Sequence, residues 1–234
     1  MTEPIKIAYL DSYSDSPSRV YRHELYEHRL ERMFLYDMTI DRLAPYGALI
    51  VPNNIDEEFL YQHRDWIAQY LEQGRIVVSF AQIFLSWLPG NGLWNRSPLD
   101  INERTILAHD EHPLFHGVME YDLNYRRGVK GFFSRGYFEA PLHAEIALKD
   151  NAGQTVVYID RHSTRGTIMA GAGTDLLGYG LSDTTTARRL GPQLLAWIDR
   201  EFEYNVPKGR FSAPRRLQEL EADASVASFA AQNL

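Results

Sequence analysis

The feature that most restricts the fold is the stretch at residues 74–82, Gly-Arg-Ile-Val-Val-Ser-Phe-Ala-Gln. A segment with apolar residues at helical spacing ends at Gly74, and a short β-branched run follows it. The run ends in a polar bend at residues 79–82. This order of helix, glycine, buried strand and polar bend is typical of parallel α/β sheets, whose binding sites collect beyond the carboxyl ends of the strands. We therefore expect this bend to show whether the chain carries out chemistry.

The residues before this stretch predict a sheet of the same kind. Apolar runs at residues 6–11 and 48–52, and a weaker run at residues 38–43, predict strands. Residues 18–35 and 54–73 have the spacing of amphipathic helices, and Asn54 with Glu57 resembles a capping box. The resulting order β-α-β-β-α-β predicts a flavodoxin-like, three-layer α/β fold with a mostly parallel central sheet.

The pattern changes after residue 82. Residues 83–141 are rich in aromatic residues, proline and glycine, and we interpret them as an ordered excursion. Runs at residues 143–148 and 155–160 predict a hairpin, and a strand at residues 166–173 and a helix at residues 185–202 complete a domain of residues 1–204. We interpret residues 205–234 as a C-terminal arm that packs on a neighbouring subunit, or as a frayed tail.

Composition argues against several classes of function. The net charge of −7 disfavours a nucleic-acid partner, because such binding needs a basic surface. The chain has no cysteine, which excludes disulfides, thiolate metal sites and a cysteine nucleophile. No apolar run approaches the roughly 20 residues that span a bilayer, and the N-terminus lacks the layout of a signal peptide. We expect a cytoplasmic protein, with a small-molecule ligand and further copies of itself as partners.

Three segments resemble one known family. They are residues 64–80, the run His-Pro-Leu-Phe-His-Gly at residues 112–117, and residues 165–175 with Leu-Leu-Ala-Trp at residues 194–197. In them the chain resembles the class I glutamine-amidotransferase-like superfamily, most nearly its ThuA-like (trehalose-utilisation-type) and β-galactosidase middle-domain-like branch. The resemblance covers most of residues 5–202. It implies this fold, a pocket at the strand ends and, by analogy, a link to carbohydrate metabolism.

The bend departs from the family pattern. In active amidotransferases the corresponding elbow presents a cysteine between glycines, whereas this chain has Ser79-Phe-Ala-Gln82. The resemblance therefore implies an amidotransferase-like domain without amidotransferase activity.

One set of candidate catalytic residues would form a triad. Ser79 would be the nucleophile, His162 the base, and Asp160 or Asp175 the group that orients the base. The Gly-x-Ser-x-Gly elbow that exposes such a serine is absent. We therefore favour a structural serine that satisfies backbone groups at the strand end.

The candidate metal ligands are His109, His112 and His116. On one helix they would share a face and could bind zinc or another divalent metal, the one cofactor that the sequence suggests. Pro113 argues against a continuous helix, so a loop shaped by the His-Pro pair is the favoured interpretation.

Six residues are candidate ligand contacts: Asp11, Gln82, Trp87, Trp94, Arg126 and Arg127. Asp11 and Gln82 follow predicted strands. The tryptophans could stack on a sugar, although ordinary core positions are the simpler interpretation. The arginines, interleaved with aromatic residues, suit an anion or a sugar, or equally an interface between copies.

Two hypotheses of function follow. The first is a non-catalytic module that binds a small ligand, perhaps a sugar, or builds an assembly. The second is a hydrolase or isomerase that uses Asp11, Ser79, His112 and His162, with or without a metal. We favour the first because no nucleophile and base stand at a diagnostic spacing.

Overall fold

The structure, a computed structural model, describes residues 4–13, 20–90, 92–108, 112–181 and 184–205. These residues form strands β1 (Ile7–Asp11), β2 (Leu30–Phe34), β3 (Ala48–Val51), β4 (Ile76–Ser79), β5 (Trp94–Arg96), β6 (Ile106–Ala108), β7 (Tyr125–Arg126), β8 (Val129–Lys130), β9 (Gly136–Phe138), β10 (Glu145–Asp150), β11 (Thr155–Asp160) and β12 (Thr167–Gly171). The α-helices are α1 (Ile40–Leu43), α2 (Glu57–Gln62), α3 (Arg64–Glu72), α4 (Glu120–Asn124), α5 (Leu176–Tyr179) and α6 (Leu190–Asn205).

The main sheet has the strand order β2-β1-β3-β4-β12-β11-β10-β6. The first five of these strands are parallel, and the last three continue the sheet in antiparallel pairing. Every residue of β1, β3, β4 and β12 is buried, as expected of strands that are covered on both faces. The prediction of a flavodoxin-like α/β fold with a mostly parallel central sheet is confirmed.

Helices cover both faces of the sheet and form two apolar cores. Leu194, Trp197 and Ile198 of α6 belong to one core, with Ile7 and Val78 of the strands. On the other face, Leu60 of α2 and Ile67 and Leu71 of α3 pack with Leu49 and Val77. No helix of the described residues is long and apolar enough to cross a membrane.

The residues around β4 have the conformation that their sequence predicts. Gly74 follows α3 with a φ of +79°, the left-handed conformation in which glycine commonly ends a helix. The predicted hairpin is present as β10 and β11.

The structure corrects two predicted elements. The helix expected at residues 18–35 is wrong over its described part, because residues 20–29 form turns and Leu30–Phe34 is the edge strand β2. Leu30 and Met33 face different cores, and helical spacing arises by chance when both faces of a strand are covered. The strand expected at residues 38–43 contains α1 instead, because the Thr39 side chain accepts a hydrogen bond from Arg42 N and caps a helix.

The excursion at residues 83–141 is ordered where it is described, and it adds structure to the sheet. β6 extends the main sheet, while β9 pairs with both β5 and β11. The last helix reaches Asn205, and the rest of the predicted C-terminal arm, from residue 206, lies outside the described residues.

Candidate functional site

An open cleft of about 750 Å³ lies at the carboxyl ends of β1, β3 and β4. We call it the strand-end cleft, and it is lined by Ser12, Asn53, Asn54, Ile55, Asp56, Glu57, Glu58, Gln82, Phe84 and Leu85. Val51 and Ser79 are register partners, so the segments that follow β3 and β4 leave the sheet side by side. This is the edge at which parallel α/β sheets usually bind ligands.

One wall of the cleft is the beginning of α2. The Asp56 side chain accepts a hydrogen bond from Phe59 N at 3.1 Å and caps this helix. Asp56 thus takes the capping role that the sequence analysis gave to Asn54. The carboxylate of Glu57 accepts hydrogen bonds from Phe84 N at 2.8 Å and Leu85 N at 3.1 Å. These bonds hold the segment after β4 against α2 and fix the shape of the cleft.

Three side-chain amides in the cleft are available to a ligand. Within the described residues, the side chains of Asn53, Asn54 and Gln82 form no hydrogen bond with the protein. Beside them, the ring of Phe84 is 55% exposed and meets the ring of Trp94 edge-to-face at 5.5 Å. The cleft therefore offers both donors and acceptors next to an aromatic surface.

The cleft is acidic, because Asp56, Glu57 and Glu58 line it. Burial raises the pKa of the Glu57 carboxyl above its ordinary value, and the hydrogen bonds from the backbone of Leu85 and Phe84 oppose this shift. An anionic ligand would meet negative charge here, whereas a neutral polar ligand would meet hydrogen-bonding groups.

Asp11 ends β1 beside the cleft but does not line it. Its side chain is 1% exposed and forms an ion pair with Arg32, with 2.6 Å between Oδ2 and Nε. Its other oxygen accepts a hydrogen bond from Tyr13 N. Both oxygens of Asp11 are thus engaged within the protein, and the neighbouring Ser12 reaches the cleft in its place.

Ser79 is fully buried at the end of β4. Its hydroxyl accepts a hydrogen bond from Ala81 N at 3.3 Å, the structural role that the sequence analysis favoured. No helix begins in residues 80–90 or 92–93, so the strand-turn-helix elbow that exposes a nucleophile is missing from this described part.

The expected triad is not assembled. Asp160 lies beside Ile168, and Ile168 lies beside Val77, two residues before Ser79 in β4. Since β11 runs antiparallel to β12, the chain moves farther from the carboxyl edge as it continues from Asp160 to His162. Asp160 instead accepts hydrogen bonds from the backbone N–H groups of His162 and Ser163. The assignment of Ser79, His162 and Asp160 to one catalytic site is therefore wrong.

The expected metal site is not formed by the residues that are described. His109 lies outside them. His112 Nε2 is 3.1 Å from Glu145 Oε1, whereas the His116 side chain is exposed and its backbone carbonyl accepts a hydrogen bond from Gln193. Among the described residues, no three His, Asp or Glu side chains converge in a way that could hold a metal ion.

The remaining candidate ligand contacts are dispersed. Trp87 is 1% exposed and belongs to the core, which rules out stacking on a ligand in this conformation. Trp94 reaches the cleft only through Phe84. Arg126 lies over the ring of Tyr179, and Arg127 is exposed on the turn between β7 and β8. Of the six predicted contacts, Gln82 lines the cleft directly.

Sequence reasoning missed the amides and the aromatic ring that accompany Gln82. Asn53 and Asn54 follow the apolar run of β3 with only Pro52 between, so consecutive amides after a buried strand were an available signal. Phe84 carried no such signal, because its position depends on the hydrogen bonds to Glu57.

Comparison with solved structures identifies the fold. A cytoplasmic protein from Salmonella typhimurium is 12% identical, with 82% of this chain and 98% of that chain covered and a TM-score of 0.53. For a putative GMP synthase component from Thermoplasma acidophilum the values are 14%, 87%, 98% and 0.53. For the N-terminal domain of IFT52 they are 10%, 83%, 97% and 0.51. No protein-family model and no curated protein matches the chain. The class I glutamine-amidotransferase-like fold predicted from the sequence is confirmed, and the likeness at these identities concerns the fold alone.

Proposed function

We propose that this chain, which has the class I glutamine-amidotransferase-like fold, is a non-catalytic domain of the ThuA-like type that binds a small neutral carbohydrate in the strand-end cleft. One observation carries the proposal: the free amides of Asn53, Asn54 and Gln82 lie beside the exposed ring of Phe84. A carbohydrate presents hydroxyl groups around its ring and apolar C–H groups on its faces. The amides can donate to and accept from the hydroxyl groups, while the aromatic ring can cover a face.

The absence of a usable nucleophile supports a binding function rather than a catalytic one. The chain has no cysteine, and the serine at the elbow position is fully buried. The alternative, a hydrolase or isomerase, would need an exposed nucleophile or a metal near a base. Among the described residues, the groups named for that role lie apart.

The charge of the cleft supports a neutral ligand rather than a phosphorylated or carboxylated one. Three carboxylates line the cleft, and its lining contains no lysine or arginine. Carboxylates accept hydrogen bonds from vicinal hydroxyl groups, but they repel an anion. We therefore expect free sugars to bind more tightly than sugar phosphates.

Isothermal titration calorimetry with the full chain tests the proposal. Glucose, galactose and a non-reducing disaccharide would be compared with glucose 6-phosphate and L-glutamine. We expect at least one neutral sugar to bind, and Gln82→Ala and Asn54→Ala each to weaken its Kd about tenfold, the effect of losing one or two hydrogen bonds. Gln62→Ala is the matched control, because Gln62 is an exposed amide at the end of α2 and does not line the cleft.

Two results would contradict the proposal. One is that no neutral sugar binds, or that Gln62→Ala weakens binding as much as Gln82→Ala. The other is release of ammonia from L-glutamine by the purified chain, which would show that amidotransferase chemistry persists without a cysteine.

We also propose that residues 205–234 act as an arm that joins copies of this chain. The proposal rests on their composition, with Pro207, Gly209 and Pro214 preceding a charged segment and a small, weakly apolar end. Such an arm would make the protein a homo-oligomer.

A further inference from the structure

A second cavity, of about 260 Å³, lies within the excursion, and none of the residues that line it lines the strand-end cleft. We call it the excursion cavity; it lies between β5, β6, α4 and the segment of residues 130–135. We propose that it binds a small organic anion, a carboxylate or phosphate monoester with an apolar body of about one ring.

The walls of the cavity are held in place before any ligand binds. Arg104 is 6% exposed, and its Nε donates to Asp150 Oδ2 at 2.9 Å. Its two other nitrogens donate to the carbonyl oxygens of Ser134 and Gly136, each at 2.6 Å. On the opposite wall, Asn124 is hydrogen-bonded to both the N–H and the carbonyl of Ile106. Buried bonds of this kind keep a cavity open, since collapse would leave polar groups unpaired.

The rim of the cavity is positively charged. Arg96, Lys130 and Arg135 line it, and within the described residues none of the three forms a salt bridge with a carboxylate. Lys130 Nζ donates to the carbonyl of Asn102 at 2.6 Å, which leaves its charge uncompensated. The lining contains one carboxylate, that of Asp100, while the charge of Arg104 is compensated by Asp150. The chain as a whole has a net charge of −7, so this local excess of cations is not a result of overall composition.

The floor of the cavity is apolar. Leu123 is fully buried, and Phe133 is 1% exposed with its ring edge-to-face against Tyr179 at 5.2 Å. Ile101 forms part of the same lining and packs on Gly131, where a Cβ atom would lie 2.2 Å from Ile101 Cδ1. A ligand with an apolar ring and one anionic group would place the ring on this floor and the charge at the rim. The cavity is slightly smaller than the roughly 300 Å³ at which ligand pockets usually begin, which restricts the ligand to about one ring.

The experiment is a titration of the full chain, followed by amide NMR, with four probes: benzoate, phenyl phosphate, inorganic phosphate and benzamide. We expect benzoate or phenyl phosphate to bind, and to shift the backbone amide signals of Ser97, Ser134 and Arg135. Inorganic phosphate lacks the apolar body and benzamide lacks the charge, so both should bind at least about tenfold more weakly. Higher salt should weaken the binding of the anions, because the cations are close to solvent.

Matched variants assign the binding to this cavity. Arg96→Gln and Lys130→Gln should each weaken the Kd of the anion about fivefold, the effect of one solvent-screened charge pair. Arg127→Gln removes the same charge from an exposed residue of the excursion that does not line the cavity, and it should leave the Kd unchanged. All three residues are at the surface or the rim, and their substitution leaves the buried bonds of Arg104 intact.

Several outcomes would overturn the proposal. These are the absence of binding by both benzoate and phenyl phosphate, equal binding of inorganic phosphate, and an equal loss of affinity in Arg127→Gln. A further one is that the shifted signals belong to residues 53–58 and 82–85 instead of residues 96–135. Because sugar binding at the strand-end cleft uses other residues, either proposal can fail while the other stands.

Discussion

At the first position of α2, the carboxylate of Glu57 accepts hydrogen bonds from two backbone N–H groups of the segment that follows β4. Burial raises the pKa of Glu57 above its ordinary value of 4.5, so the ionised carboxylate is less favourable in the folded chain than in the unfolded one. The protonated form therefore favours folding. This contribution is fully present below pH 4.5 and is lost as the pH rises through the raised pKa.

We expect Glu57→Gln to be at least as stable as the wild type at pH 7, because it keeps an acceptor oxygen and removes the buried charge. The advantage should disappear below pH 4.5, where the wild-type carboxyl is protonated. Glu57→Ala should cost about 1 kcal/mol or more at either pH, since Phe84 N and Leu85 N lose their acceptor. Urea unfolding at pH 4 and pH 7 measures both effects, with the exposed Glu58→Gln as control. A stability difference between wild type and Glu57→Gln that does not change with pH would contradict this account.

The candidate site was partly predictable at the scale of single residues. Gln82 could be placed near the edge because it follows an apolar run, and runs of that kind form the carboxyl edge of a parallel sheet. Its proximity to Asn53 and Asn54 depends on the register in which Val51 lies beside Ser79, and residue spacing does not encode register. The triad failed for the same reason, since the antiparallel direction of β11 carries His162 away from Ser79.

At the scale of elements, a buried ion pair connects the excursion to the hairpin. Arg104 lies just before β6, Asp150 ends β10, and the carbonyl groups of Ser134 and Gly136 flank the start of β9. The side chains of the pair are 5% and 0% exposed. Removal of one partner would leave a buried charge without compensation.

We therefore expect Arg104→Met to lower the free energy of unfolding by about 3–5 kcal/mol, the usual cost of breaking a buried pair. The double variant Arg104→Met with Asp150→Leu should regain part of that loss, because neither charge is then buried. Arg127→Met, at an exposed position, should have little effect. Denaturant unfolding of the wild type, the two single variants and the double variant gives the coupling energy between Arg104 and Asp150. If the double variant were as unstable as the sum of the two single variants, the two side chains would not act as a pair.

Elements on the parallel side were easier to predict than those at the edge. The runs that became β3 and β4 are short, apolar and bounded by turn residues, so their burial on two faces could be seen directly. Residues 30–34 contain two charged residues among apolar ones, and their spacing fits a helix as well as a strand. They become β2 through parallel pairing with β1, a contact between distant elements that local pattern does not specify.

At the scale of the whole molecule, α6 joins the last part of the domain to the amino edge of the sheet. Asn205 is fully buried, and its side-chain amide donates to Gly74 O and to Thr167 Oγ1, each at 3.2 Å. Four residues earlier, Glu201 accepts two hydrogen bonds from the guanidinium of Arg161, at 2.8 and 2.6 Å. The contacts that anchor α6 are thus complete at residue 205. A truncation beyond that point should leave the domain folded.

This property makes the proposed arm testable without loss of the fold. We expect a chain that lacks residues 207–234 to keep the thermal unfolding midpoint of the full chain, because Glu201 and Asn205 keep their partners. If the arm joins copies of the chain, the truncation should lower the oligomeric mass measured by light scattering. Asn205→Ala in the full-length chain is the complementary control. It should lower the unfolding midpoint, since it removes two buried hydrogen bonds, but leave the mass of the folded protein unchanged. An unchanged mass after truncation, with the midpoint preserved, would show that residues 207–234 do not build the assembly.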